Sequence, residues 1–486
     1  MPMAVGSRSS SAGCPLNMLK LPATSCACPS LASNRKARNM TKPNVVFLLT
    51  DQWRLQALGY AGNTQVQTPN IDRLADESIN YPNAISGYSV CCPWRASFLT
   101  GQYPLTHGVV VNDVPISSDP VGLGDAFKQA AYSTAYIGKW HVDGRGRSSY
   151  IPPERRLGFD YFKALECSHD YNRSAYYAGD DDRKRYWDGY DVFAQTADAQ
   201  AFIKSQSRER QPFLLVLSWG PPHNPYQTAP EQFREMYAAA AVELRPNVPA
   251  EIAARARRWL AGYYAHCSAI DQSVGDIVRT LEKCGLADDT VLVFASDHGD
   301  MLGSQGLERK QKPYEESIRV PFLLRYPAKY GRQPRAASAF LNAHDIMPTL
   351  LGVCDLPIPA TVEGSDYSPP LSGEPKQSDC ALLACFHPFG EWTRALGGRE
   401  YRGIRTARYT YCRTLEAAWL LFDNEKDPFQ LSNLVDQPQF AELQAELEKL
   451  LQRELAALGD EFLDGPTIIN RWAYSLDETG TVPFRD

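Results

Sequence analysis

Cys91 opens the run Cys91-Cys92-Pro93-Trp94-Arg95-Ala96-Ser97-Phe98-Leu99-Thr100-Gly101, which places a thiol, a backbone-fixing proline and an arginine within five residues. A thiol this close to a guanidinium can ionise and act as a nucleophile. Cysteine pairs more often pack as small hydrophobes, so the spacing has to carry the case. A phosphate-cradling cysteine loop needs arginine six positions after the nucleophile, and Ser97 stands there, followed by Phe98. What remains is C-x-P-x-R followed by Leu-Thr-Gly.

Two other clusters suit a metal ion. Asp51-Gln52 follows the apolar run 45–50, and Asp297-His298 follows the apolar run 290–295. Two carboxylates, an amide oxygen and an imidazole make an oxygen-rich set for a divalent cation, Ca2+ ahead of Mg2+ or Mn2+. An Asp-His pair after a strand is by itself more often a cap or a turn; its occurrence alongside the cysteine run argues against that reading. Runs 132–137 and 213–218 repeat the pattern, leading to Gly138-Lys139-Trp140-His141 and to Gly220-Pro221-Pro222-His223.

Four continuous apolar runs of this length predict strands buried on both faces of a parallel sheet. Polar groups at the carboxyl ends of such strands point into a ligand crevice. Helices fill the intervals. Ile270, Val274, Ile277, Val278 and Leu281 repeat at helical spacing within 252–284, and Thr68-Pro69 opens another helix. After Ser372 the pattern shortens to strand-like stretches at 381–386, 401–413 and 419–422, then an amphipathic helix over 440–458. The expected fold class is α/β, a large mixed and mostly parallel sheet sandwiched by helices. A smaller C-terminal α+β subdomain adds a short antiparallel sheet and a long helix. The divisions are 1–39, 40–374 and 375–486, with the boundary falling within 370–378. No internal repeat is evident.

The cysteine run resembles the signature of type I sulfatases, members of the alkaline phosphatase superfamily. Asn44 to Gly62 resembles that family's first strand and metal-binding turn, Gly138-Lys139-Trp140-His141 its lysine-histidine pair, and Ser296-Asp297-His298-Gly299-Asp300 its second metal segment. Lys310, four residues before Tyr314, falls where the family keeps a sulfate-binding lysine; Lys312 is the competing choice. The stretches 402–406 and 421–428 also resemble the family. The resemblance implies an alkaline-phosphatase-like fold and oxidation of Cys91 to formylglycine by a formylglycine-generating enzyme. The modified residue 91 then joins Asp51, Gln52, Asp297 and His298 at the metal.

It further implies that a hydroxyl of the aldehyde hydrate, held by Arg95, attacks sulfur while Lys139, His223 and Lys310 neutralise the ester oxygens. His223 or Lys310 protonates the leaving alcohol. His141 acts as base on the second hydroxyl, which releases sulfate by breaking the carbon–oxygen bond. A serine would remain as a stable sulfate ester. Two departures from the pattern stand out. Gln52 replaces a second aspartate, as in relatives that hydrolyse choline sulfate or phosphonate monoesters, and Trp94 replaces a small residue and is expected to pack inward. Three readings stay open: a sulfuric ester hydrolase, a phosphonate monoester or phosphodiester hydrolase on the same scaffold, and a silent sulfated-glycan-binding protein. Aryl, carbohydrate and choline sulfates are all candidate substrates.

Composition sets outer limits. The 486 residues, 44% hydrophobic, suffice for a large core. A net charge of −6 without a basic stripe argues against a nucleic-acid partner, and no window is apolar enough for a membrane-spanning helix. The twelve scattered cysteines show no zinc or disulfide spacing, pointing to reduced thiols and a cytoplasmic location, with periplasmic export as the alternative. An oligomer is compatible with all of this. Residues 1–39 lack a secretory apolar run and read as disordered or as an over-extended reading frame. Among secondary candidates, His107 is expected to support the site from behind, and His344 is expected to be structural. His387 is expected to be structural too, or else to reach the pocket from the smaller domain. The run Gly179-Asp180-Asp181-Asp182-Arg183-Lys184-Arg185 is expected to be a solvated loop.

Overall fold

The run Asn44–Asp51 is buried at every position, so its side chains must be covered on both sides. They are: Val45, Phe47 and Leu49 join one apolar cluster, while Val46 and Leu48 join another. The computed structural model describes residues 42–117, 120–372, 376–478 and 482–483. The expectation for residues 1–39 lies outside the described residues.

The large sheet holds ten strands: β1 (Asn44–Asp51), β2 (Ile79–Asn80), β3 (Ser133–Lys139), β4 (Tyr161–Leu165), β5 (Ala175–Ala178), β6 (Asp181–Tyr186), β7 (Phe213–Pro222), β8 (Thr290–Ser296), β9 (Phe322–Arg325) and β10 (Arg335–Ala336). Their order is β10-β2-β9-β8-β1-β7-β3-β4-β5-β6. The central five, β8 to β4, are parallel, and antiparallel pairings flank them. Helix Ala253–Lys283 covers one face, where Leu260, Ile270, Val274 and Leu281 meet Val46 and Leu48. Helices Cys91–Thr100 and Ala343–Val353 cover the other through Phe98, Leu99, Met347 and Leu350. Each such fully buried side chain contributes about 1.5–3 kcal/mol of transfer free energy.

A second sheet, antiparallel, runs β11 (Cys380–Cys385), β12 (Tyr401–Thr406), β13 (Tyr409–Arg413) and β14 (Ala418–Asp423). The stretch read as one at 401–413 is therefore a hairpin. Helix Ala441–Ala457 packs against β12 and β13, with Leu447, Leu451 and Leu455 buried. Leu382, Ile404 and Tyr411 belong to the same apolar cluster as Phe47, so the two sheets share a core. The charged run at 179–185 is not a loop as expected. Its residues from Asp181 onward form the outer strand β6, whose exposed charges block pairing with another chain.

One buried ion pair ties the small sheet to the segment after helix Cys91–Thr100. Arg402 donates to Asp460 at 2.5 and 3.2 Å, both side chains fully buried, and the Tyr103 hydroxyl donates to the same carboxylate at 2.8 Å. Burial pushes the Asp460 carboxyl up, but Arg402 more than offsets this and holds it below its ordinary value. The contribution is therefore present above the unfolded carboxyl pKa of about 3.9 and is lost as pH falls through the lower folded value. Asp460→Asn leaves a buried guanidinium uncompensated and is expected to cost about 3–5 kcal/mol, read as a lower urea midpoint at neutral pH.

Candidate active site

Because β8, β1, β7 and β3 are parallel, their carboxyl ends lie along one edge of the sheet. That edge receives Asp51 and Gln52 from β1, Lys139 and then His141 from β3, His223 just after β7, and Asp297 and His298 just after β8. Gly138 lets β3 approach β7 there: its φ is +106°, and a Cβ would stand 2.0 Å from the Ser218 carbonyl oxygen. Gln52 (φ +70°) and His141 (φ +62°) also hold left-handed backbone, strain of the kind that accompanies functional sites.

Cys91 is the first residue of its helix, where free backbone N–H groups and the helix dipole favour negative charge. Its sulfur lies 3.1 Å from Lys310 Nζ, 3.2 Å from His298 Nε2 and 3.8 Å from Asp51 Oδ1. Burial and the Asp51 charge push the thiol up, but Lys139, Lys310 and His298 outweigh them and hold it well below its usual range. Ligand atoms of Asp51, Cys91, Asp297 and His298 all lie within 4.8 Å of one another. His298 uses Nδ1 at the Gly299 carbonyl (2.9 Å), which turns Nε2 toward the cluster. Gln52 donates its amide nitrogen to Asp300 (2.7 Å) and presents its oxygen to Lys310 (3.2 Å). This donor set fits a hard divalent cation.

Two buried carboxylates side by side need cations. Lys139 meets Asp51 at 2.6 Å and, outweighing the penalty of burial, holds it well below the usual carboxylate range with help from Arg95 and Lys310. Burial and the neighbouring Asp51 push Asp297 up instead. Arg95 spans both carboxylates. Nε donates to Asp297, Nη1 to the Lys139 carbonyl and Ser218, and Nη2 reaches Asp51 and Asp297. Four hydrogen bonds and a further Nη2–Asp297 ion-pair contact thus engage the guanidinium, and Arg95 organises the two carboxylates.

Lys310 donates to Cys91 and to His223 Nε2 (3.0 Å), while His223 Nδ1 meets the Asn224 carbonyl. Burial and Lys310 press His223 well below its ordinary value. Lys312 points elsewhere, to the Glu308 carbonyl at 2.8 Å, and burial pushes it down to about 8. His107 braces the cysteine helix through Ser97 (3.0 Å), and His344 bonds Tyr88 (2.8 Å). Trp94 packs inward and stacks on Phe98 at 5.5 Å. His387 is buried near Gly465 and is not among the residues lining the reaction cavity; the connection between β11 and β12 contributes Phe389, Gly390 and Glu391 instead.

That cavity, about 340 Å³, is lined by Cys91, Lys139, His141, His223 and Lys310. It also contains residues the sequence reading missed. Asp113 faces His141 Nε2 at 3.3 Å and is clamped by Arg147 at 2.8 and 3.0 Å. Burial presses His141 down, but the sulfurs of Cys92 and Cys167 and the Asp113 bond raise it well above its usual value. His169 stacks flat on His223 at 4.6 Å. Glu391 reaches the wall from the connection between β11 and β12, and Asp300, already part of the second metal segment, orients Gln52 from outside the cavity lining.

A nucleophile position ringed by cations, beside a metal-fitting cluster at the strand ends of a doubly covered sheet, defines the class as an ester hydrolase of the alkaline phosphatase superfamily. Residues 43–356 match the family described as Sulfatase, and residues 303–457 match N-sulphoglucosamine sulphohydrolase, C-terminal. The chain belongs to the sulfatase family and is a hydrolase acting on sulfuric ester bonds. It is 44% identical to an ulvan-active sulfatase of Formosa agariphila, over 89% of this chain and 85% of that one. It is 32% identical to an endo-4-O-sulfatase of Bacteroides thetaiotaomicron, over 83% and 90%. A solved structure of a putative sulfatase from Bacteroides fragilis, 32% identical, superposes with a TM-score of 0.79 over 87% of this chain and 97% of that one.

Proposed function

We propose that this protein hydrolyses carbohydrate sulfate monoesters, with Cys91 oxidised to formylglycine by a formylglycine-generating enzyme. The observation that carries the proposal is the position of Cys91 Sγ between Lys310, His298 and Asp51 at a helix N-terminus. Formylglycine would supply a hydrated aldehyde whose hydroxyl is the nucleophile toward sulfur. A divalent ion, calcium in first place, would be held by Asp51, Gln52, Asp297, His298 and the residue-91 oxygen, and would supply positive charge at the ester oxygens.

The side chains of the site account for the rest. Lys139 and Lys310 neutralise the sulfate oxygens. Lys310 and His223 share one proton 3.0 Å apart beside residue 91 and deliver it to the departing alcohol oxygen. His141, aligned by the Arg147-clamped Asp113, takes up the proton released when the aldehyde is restored, a step that its neutral imidazole performs and that its raised proton affinity favours. Arg95 keeps the two carboxylates in register. Glu391 has one buried carboxylate oxygen without a hydrogen-bond partner among the described residues, an acceptor suited to a sugar hydroxyl. The cations of the wall disfavour choline. The names of the relatives support a glycan in the same direction. All nine described cysteines are free, which supports a reducing, cytoplasmic setting.

The neutral Gln52 favours a second reading, a phosphonate monoester hydrolase. Rates on 4-nitrophenyl sulfate and on a 4-nitrophenyl phosphonate monoester separate the two. Sulfate ester hydrolysis is expected to lead by at least about tenfold in kcat/KM, a margin of about 1.4 kcal/mol; the reverse order would overturn the sulfatase assignment of substrate.

A further inference from the structure

A second cavity, about 210 Å³, adjoins the reaction cavity, and Asn224 and Arg309 belong to the walls of both. These two residues are the chain neighbours of His223 and Lys310, the pair that holds the proton beside residue 91. Arg309 takes left-handed backbone (φ +57°), as does Gln311 (φ +75°). Two bonds fix that turn: the Arg309 N–H donates to Asp300 at 3.1 Å, and the Arg309 carbonyl accepts from the Met301 N–H at 2.8 Å. The loop that delivers Lys310 to the reaction cavity therefore also builds the partition.

The remaining wall has the chemistry of a sugar site. Trp259 is half-buried, with the Arg255 guanidinium 4.7 Å over its ring, and Arg255 is in turn paired with Glu308 at 3.3 Å. One indole face is covered by Arg255, and the fixed ring contributes apolar surface to the cavity wall beside it. Glu308 and Gln227 provide hydrogen-bonding groups around it. The Asn224 amide oxygen, buried and without a hydrogen-bond partner among the described residues, adds an acceptor at the partition.

We infer that this cavity is a binding subsite for the sugar ring adjoining the sulfated one, so that the enzyme works on sulfate esters within an oligosaccharide. The inference rests on the carbohydrate sulfatase reading above. Its test compares sulfate release from 4-nitrophenyl sulfate with release from ulvan oligosaccharides and from sulfated glycosaminoglycan oligosaccharides. Trp259→Ala is expected to lower kcat/KM on the oligosaccharide that the wild type desulfates by about tenfold or more, and to leave 4-nitrophenyl sulfate within about twofold. Glu308→Gln, a milder change at a partly exposed position, is expected to shift the same ratio in the same direction by about threefold. Equal losses on both substrates, or no loss on either, overturn the subsite. So does a wild type that cleaves 4-nitrophenyl sulfate but neither oligosaccharide. A wild type that releases sulfate from none of them overturns the sulfatase reading itself, a distinguishable result.

Discussion

Cys91→Ala lowers kcat for sulfate release by at least about 10^4-fold, the scale on which removing a covalent nucleophile acts. The remaining cations still bind the ester, so KM changes far less than kcat. The fold survives the substitution. Cys91 begins a helix, where alanine is well tolerated, and its sulfur makes polar contacts with Lys310 and His298 rather than filling the apolar core. Sulfate release measured by ion chromatography, alongside an unchanged circular dichroism spectrum, checks both halves. A variant retaining more than about a hundredth of the wild-type rate would mean that another group attacks sulfur.

Asp51→Asn is expected to act through the proposed metal site and through charge. Asp51 Oδ2 receives Lys139 at 2.6 Å and Arg95 at 3.2 Å, and Oδ1 faces His298 at 3.6 Å. Loss of one carboxylate from the cluster is expected to reduce bound divalent metal from about one per chain to below about a tenth, and kcat/KM by about 10^3-fold. Stability falls as well, because Lys139 loses its ion-pair partner and Arg95 keeps only Asp297. That cost, about 3–5 kcal/mol for a broken buried pair, is partly offset by relief of the repulsion that Asp51 exerts on Asp297. Elemental analysis of the purified variant and its urea midpoint check the two effects separately. Full metal occupancy in the variant would remove Asp51 from the ligand set.

Much of this site was legible in the sequence because burial leaves a strong mark. A strand covered on both faces reads as an unbroken apolar run, and polar residues at the carboxyl ends of several such strands point into one crevice. Hence Asp51, Lys139, His223 and Asp297 were found, and the four strands that carry them differ from expectation only in their ends, such as β7 continuing to Pro222. The choice of Lys310 over Lys312 also agrees with the geometry, since only Lys310 approaches Cys91.

What escaped depends on distance. Asp113 becomes meaningful only where the fold brings it to His141, 28 residues away, and Glu391 only where the small sheet packs over the cavity. His169 carries no motif and acts by stacking on a residue 54 positions later. Arg95 was read from the company it keeps in sequence, yet its guanidinium reaches the strand-end carboxylates. The charged run at 179–185 has a composition shared by solvated loops and protected edge strands, and only the pairing of β6 with β5 distinguishes them.

The most direct test is the mass of the tryptic peptide ending at Arg95, taken from protein produced together with an active formylglycine-generating enzyme and shown to release sulfate. The account predicts that Cys91 has exchanged its thiol for an aldehyde, lighter than the cysteine form and reactive toward a hydrazide, while Cys92 keeps its sulfur. An intact Cys91 thiol in protein that releases sulfate at full rate would contradict it.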